Sequence, residues 1–289
     1  VLVDQNFPPF VIIDEKSEPV GEIDDNDAVI FYNFRGDRAI EITKAFTQKD
    51  FKAFDRVHFP KVYYAGMMQY AGDLLIPEKY LVSPPHITET LTEELLKYQV
   101  RQFACSETQK YGHVTYFWNG NNSGYVDKNY ETYLEIPSDK ISFDLKPEMK
   151  AKEITDATIK AIERNTFDFA RINLANGDMV GHTGKYFAAI KAIETVDQCI
   201  GRLMEACRKH KVILVVTADH GNADEMFDAK EKDFPHWEKN IDKIPPKTAH
   251  TLNPVPFYIF DPTQKKPYIL TGNTEAGLGN LKNTILKLM

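Results

Sequence analysis

Short apolar runs alternate along the chain with longer segments of helical period. Residues 28–34, Ala28-Val29-Ile30-Phe31-Tyr32-Asn33-Phe34, form a continuous run of buried-strand length, and a helix is expected directly after it from 38 to 46. The segment 7–14 is also strand-like. Further strands are expected at 102–104, 113–118, 169–174, 212–217 and 256–260. Helices are expected at 89–101, 148–163, 185–210 and beyond Gly279. Strands that alternate with helices predict an α/β fold, a mostly parallel sheet sandwiched by helices. The prolines of Val82-Ser83-Pro84-Pro85-His86 restrict the backbone just where the pattern turns polar. They set an expected boundary between part of one α/β domain, residues 1–84, and a larger one, residues 85–289.

Composition narrows the class without changing this picture. A chain of 289 residues with 43% hydrophobic and 27% charged positions can bury a full core. Its net charge of −7 disfavours nucleic acid or an anionic membrane as partner. No apolar run approaches the roughly 20 residues that span a bilayer, and no basic-then-apolar leader opens the chain. A soluble, cytoplasmic protein is the expectation. The cysteines Cys105, Cys199 and Cys207 form no CxxC pair. Cys199 and Cys207 fall on a helix whose apolar positions Phe187, Ile190, Ile193, Val196, Ile200, Leu203 and Met204 are expected to pack. The chain opens on Val1 rather than Met, which suggests a fragment or a processed product.

Candidate chemistry gathers at strand ends. The run Val212-Ile213-Leu214-Val215-Val216 empties into Thr217-Ala218-Asp219-His220-Gly221-Asn222-Ala223-Asp224. An open α/β sheet places its ligands at the carboxyl ends of its strands, and carboxylate with imidazole suits Mn²⁺, Co²⁺ or Zn²⁺. Alone, the pair is only suggestive, and a hydrogen-bonded strand end is the more ordinary reading. Asn176-Gly177-Asp178-Met179-Val180-Gly181-His182 adds a carboxylate and an imidazole four apart, on one face if that turn is helical. His250, ahead of the last strand, adds another imidazole. Together these residues could hold most of a two-metal centre, for which phosphoryl transfer is the natural reaction.

Arg35 and Arg38, three apart after a strand, read either as an anion clamp or as a surface network in which Asp37 caps the helix. Lys110 reads either as a solvated charge or as a cation for a transferring phosphoryl group. His58, His86, His113, His210 and His236 are expected to be structural or solvated, with His113 starting a strand.

Taken in order, Phe31 to Arg38, Ser106-Glu107-Thr108-Gln109-Lys110-Tyr111, Asn176 to Gly184, Thr217 to Asp224 and His250 to Pro256 resemble the cofactor-independent phosphoglycerate mutase family, a branch of the alkaline phosphatase superfamily. The resemblance implies that residues 1–84 are the carboxyl-terminal part of a transferase domain and residues 85–289 a phosphatase-like metal-binding domain. It implies interconversion of 3-phosphoglycerate and 2-phosphoglycerate through a phosphoserine, in glycolysis and gluconeogenesis, without 2,3-bisphosphoglycerate. Asp178, His182 and His250 would hold one divalent ion, and Asp219 with His220 would help hold the other, Mn or Co foremost and Mg or Zn compatible. Lys110 would serve catalysis and contact the phosphoryl group, with Arg35 and Arg38 holding substrate.

The family's nucleophilic serine and a further metal-binding aspartate lie in an amino-terminal section that nothing here matches. No serine of this chain is assigned as nucleophile, and that section of the same enzyme is the expected partner of an otherwise monomeric protein. Residues 227–246 form a charged insertion of unassigned role. Another metal-dependent phosphatase or phosphomutase of the superfamily, or a non-catalytic binding protein made from half an enzyme, are the alternative readings.

Overall fold

A computed structural model describes residues 8–34, 36, 38–71, 74–83, 87–122, 124–228, 243–263 and 276–289. The chain divides into two compact units, Val1–His86 and Ile87–Met289.

In the first unit, β1 (Ala28–Phe31), β2 (Tyr63–Met68) and β3 (Tyr80–Val82) pair in parallel in the order β1-β2-β3. Helix α1 (Ala39–Thr47) follows β1, as a parallel crossover requires. It is tied to the sheet through Thr43, whose buried hydroxyl lies 3.0 Å from the Tyr64 hydroxyl. Buried Tyr70 donates to the Asn33 carbonyl at 2.7 Å and so braces the exit of β1. The strand expected through Phe34 therefore stops at Phe31. Between residues 8 and 14 the strand-like segment makes only an isolated bridge, Ile13 to Pro19.

The second unit is built on a parallel sheet ordered β5-β4-β6, from β4 (Gln102–Glu107), β5 (Glu131–Ile136) and β6 (Phe169–Asn173). Every residue of β4 is buried, as a central strand covered on both faces must be. Phe103 and Cys105 pack on Ile154 and Ala161 of α4 (Ala151–Glu163). The other face carries Gln102, Ala104 and Ser106. Before β4 lies α2 (Leu91–Leu96), opened by a reciprocal capping box in which Thr90 and Glu93 each satisfy the other's backbone N–H. It covers only part of the helix expected over 89–101.

The segment 113–118, expected to be a strand, instead continues from α3 (Thr108–Val114) into turns, so His113 lies in the last turn of a helix. Its β-branched and aromatic residues favour a strand locally, but β4 has just ended and the chain must cross over the sheet. Tertiary context overrides propensity there.

After β6 come a short helix α5 (Asn176–Gly181) and the long α6 (Tyr186–His210). The packing face of α6 is Ala189, Ala192, Thr195, Cys199, Leu203, Ala206 and Cys207. Phe187, Ile190 and Ile193, expected inside, are exposed. Small residues let α6 approach α4 closely, and Ala206 and Cys207 meet Ile162 there. Burial pushes the Cys207 thiol up to about 11 and Cys105 up to about 12, which leaves both inert as thiols. Strand β7 (Leu214–Thr217) pairs antiparallel with β8 (Phe257–Phe260), and α7 (Leu281–Leu288) closes the chain.

Candidate metal centre

The loops that leave β6 and β7 bring their ligand-type side chains together. The turn after β6 is helical, so Asp178 and His182 share a face of α5 and its C-cap, with His182 Nε2 3.1 Å from Asp178 Oδ1. His250 Nε2 lies 3.0 Å from the same oxygen and 3.1 Å from His182 Nε2. His220 Nε2 approaches Asp178 Oδ1 to 4.0 Å, and its ring stacks on His250 with centroids 3.6 Å apart. Asp219 sits at the margin, half exposed, with Oδ2 3.5 Å from His220 Nε2.

The loops are held in register by their own bonds. Thr251 N–H donates to the Gly221 carbonyl at 2.9 Å, and Asp224 accepts from Thr251 and Asn253 at 2.9 and 2.6 Å. His250 is thereby fixed beside His220.

Ring orientation can be read from partners that only accept. The Thr248 carbonyl lies 2.6 Å from His182 Nδ1, so Nδ1 carries a proton and Nε2 faces the cluster. The Gly221 carbonyl is 3.3 Å from His220 Nδ1, which does the same for His220. In the neutral imidazoles, Nε2 then presents a lone pair inward, the second-shell arrangement that metal-ligating histidines use.

Lys110, buried on α3, places Nζ 2.5 Å from Asp178 Oδ2. Burial alone would raise the Asp178 carboxyl, but hydrogen bonds from His182 and Lys110 outweigh it and hold the group well below the usual carboxylate range. The bond to Asp178 raises His182, whereas burial and then the neighbouring His220 lower His250.

The donor chemistry fits a divalent cation. Bonds of about 2.0–2.2 Å to nitrogen and oxygen put neighbouring ligand atoms about 3–4 Å apart, and Asp178, His220 and His250 offer ligand atoms that all lie within 4.8 Å of one another. His182 joins them through its contacts to Asp178 and His250. An anionic oxygen among imidazole nitrogens suits Mn, Co or Zn better than a site made of oxygen alone.

Arg38 stands at the N-cap of α1 in the first unit and makes no side-chain cap. Arg35 and Asp37 lie outside the described residues, as do His86, His236 and most of the charged insertion. Two groups at this end of the sheet escape a sequence reading. Glu107, at the end of β4, is buried and accepts from Ser138 Oγ at 2.8 Å, and burial raises its carboxyl. Asn222 donates to Asp178. Its position two residues beyond His220 is the only hint the sequence carries.

The chain belongs to the Metalloenzyme superfamily, whose family model matches residues 22–289. The relatives are more particular. The chain is 54% identical over 288 residues to a probable 2,3-bisphosphoglycerate-independent phosphoglycerate mutase of Leptospira interrogans, a match that covers 100% of this chain and 52% of the relative. It is 49% identical to the enzyme of that name from Trypanosoma brucei brucei, covering 100% of this chain and 52% of the relative, and 47% identical to enzyme 1 of Arabidopsis thaliana, covering 99% and 51%. A crystal structure of Leishmania mexicana phosphoglycerate mutase at low cobalt concentration superposes with a TM-score of 0.84 at 48% identity, over 90% of this chain and 47% of that one. These matches bear out the resemblance carried by the motifs. The chain spans about half the length of the curated relatives it matches. Among the described residues, no helix is long and apolar enough to cross a membrane.

Proposed function

We propose that this chain supplies the carboxyl-terminal, metal-binding half of a 2,3-bisphosphoglycerate-independent phosphoglycerate mutase, which interconverts 3-phosphoglycerate and 2-phosphoglycerate in glycolysis and gluconeogenesis. The observation that carries the reading is the convergence of His182, His220 and His250 on one oxygen of Asp178, with buried Lys110 on the other.

In this reading Asp178, His182 and His250 hold one divalent ion, and Asp219 with His220 contributes to a second, Mn or Co foremost and Mg or Zn compatible. When bound, such ions stabilise charge on the oxygens of a phosphoryl group in transfer. Asp178 serves as the anion about which the imidazoles are ordered, and the outward Nδ1 protons of His182 and His220 keep their Nε2 atoms directed inward. Lys110 offers its ammonium to a phosphoryl oxygen from a buried position, where a point charge acts strongly. Arg35 and Arg38 grip the substrate from the transferase side by the forked geometry of the guanidinium. The nucleophilic serine and a further metal-binding aspartate come from an amino-terminal segment of the same enzyme, and the working protein is a cytoplasmic monomer.

Assay of the full-length protein for interconversion of the two phosphoglycerates, with Mn²⁺ or Co²⁺ and no bisphosphoglycerate, tests the proposal. Turnover that disappears on chelation is expected. Absence of turnover with either metal would overturn it.

A further inference from the structure

We infer that Asn222 is a positioning residue for the metal centre: it pins the Asp178 carboxylate in its ligating orientation, and Gly181 lacks a side chain because the Asn222 amide occupies that space. The inference rests on the metal-centre reading above.

Asn222 is 4% exposed. Its Nδ2 donates to Asp178 Oδ1 at 2.9 Å and to the Asp178 backbone carbonyl at 3.2 Å. The amide orientation follows from these partners, since the reverse assignment would set two acceptor oxygens against each other. Lys110 Nζ draws the other carboxylate oxygen from 2.5 Å. With a donor on each oxygen, the carboxylate plane is held from both ends, and Oδ1 stays turned toward the imidazoles. Remove the amide, and only the imidazole nitrogens, whose lone pairs a bound cation would take, remain against Oδ1 to oppose the pull of Lys110 on Oδ2.

Gly181 supplies an independent observation. A Cβ built there would lie 2.3 Å from Asn222 Oδ1 and 2.8 Å from Asn222 Cγ. The residue ends helix α5, where alanine is the better helix former, so helix formation does not call for glycine. Space does. Asn222 Oδ1 itself is buried and finds no partner among the described residues. An amide that leaves one end unsatisfied is poorly explained as a device for stability alone. It is better explained as the cost of placing the other end on Asp178. Because Asn222 stands in the turn after β7 and Asp178 in the helix after β6, this one side chain joins the two loops that carry the ligands.

The test is Co²⁺ titration of the full-length protein, followed by calorimetry and by the visible absorption of the bound ion, with the melting point of the chelator-treated protein measured alongside. Asn222→Ala is expected to weaken Co²⁺ binding about 10- to 100-fold, the usual effect of losing a partner of a ligand, and to alter the Co²⁺ spectrum, while the metal-free protein still melts cooperatively. Gly181→Ala is expected to do the same, and to add nothing in an Asn222→Ala background because the group it displaces is already gone. Unchanged Co²⁺ affinity and spectrum in Asn222→Ala overturn the inference. So does a Gly181→Ala effect of equal size in both backgrounds, which would mean simple damage to α5. Should Asn222→Ala fail to fold, Gly181→Ala decides alone, and unchanged affinity in it overturns the inference. Wild-type protein that takes up no Co²⁺ would instead overturn the metal-centre reading itself.

Discussion

Toward the amino-terminal end of the central sheet, Arg171 and Glu131 are 5% and 4% exposed, and the polar side-chain atoms of both are paired. The Arg171 guanidinium donates to the Val114 carbonyl at 2.7 Å, to Gln102 Oε1 at 3.1 Å and to the Tyr133 hydroxyl at 3.3 Å, and it lies 3.5 Å from Glu131. Glu131 accepts the Tyr133 hydroxyl and the N–H groups of Val126 and Asp127. At the carboxyl end of the same strands, the Asp178 cluster does the reverse. Imidazoles crowd one carboxylate oxygen, and the side chain of His250 is 44% exposed. Both ends concentrate charge in the interior. The first is closed on itself; the second, in the function proposed above, receives a cation, which is how a structural network differs from a binding site.

The sharpest way to break the comparison is to open the closed end. Arg171→Ala removes one partner of a buried pair and leaves Glu131 uncompensated, so a loss of about 3–5 kcal/mol in unfolding free energy is expected by urea titration. A loss no larger than that of a surface substitution would show that water or rearrangement satisfies Glu131 unaided.

The open end should respond to metal by a comparable but smaller amount. Mn²⁺ or Co²⁺ at 100 times its dissociation constant should stabilise the protein by about 2.7 kcal/mol through linkage. The gain, read as a rise in melting temperature, should shrink in His220→Ala and persist in full in Arg171→Ala. Equal gains in all three proteins would place the metal elsewhere.

Protonation of His182 distinguishes the two ends more finely. Its bond to Asp178 raises it above its ordinary 6.5. In metal-free protein the stability contributed by this pair is thus fully present below pH 6.5 and lost as pH rises through the folded value. The difference in melting temperature between wild type and His182→Asn, measured in chelator, should shrink from pH 6 toward alkaline pH. Because metal requires the neutral ring, Co²⁺ affinity should rise across the same window. A difference that is flat with pH would mean that the two side chains do not share a proton.

The open end was far more legible in the sequence than the closed one. Asp219-His220 follows a long apolar strand, and Asp178 with His182 has a spacing that a single helical turn brings to one face. Chemistry and periodicity coincide there. The closed end depends on β5, whose Glu131-Thr132-Tyr133-Leu134-Glu135-Ile136 is too polar to read as part of a buried sheet, and on Arg171, which sits inside a strand as though it were a surface residue. Only pairing of Gln102 with Glu131 and of Ala104 with both Tyr133 and Arg171 brings these groups together. Strand β3 escaped because it is only three residues long, and β2 because Gly66 interrupts its apolar run. On α6 the large apolar residues drew attention from the small ones, although close helix packing is what alanine and cysteine permit. Asn222 was invisible because its meaning lies in the space left by Gly181, 41 positions earlier in the sequence.

A second arginine–carboxylate pair completes the comparison and carries the smallest expected effect. Arg101 and Asp168 stand just outside β4 and β6, joined by bonds of 2.9 Å from Nε and 2.7 Å from a terminal nitrogen, but both side chains are over two-fifths exposed. The hydrogen bond from Arg101 holds the Asp168 carboxyl below its ordinary 3.8. Its contribution is present at neutral pH and lost as pH falls through that depressed folded value. Asp168→Asn should therefore cost much less than Arg171→Ala near pH 7, less still at about 1 M salt where exposed charges are screened, and nothing once the pH lies below the folded value. Urea titrations of wild type and variant at neutral and acid pH, at low and high salt, measure each of these differences. A cost that equals that of Arg171→Ala and ignores salt would mean that geometry, rather than burial, decides what an arginine–carboxylate pair is worth in this fold.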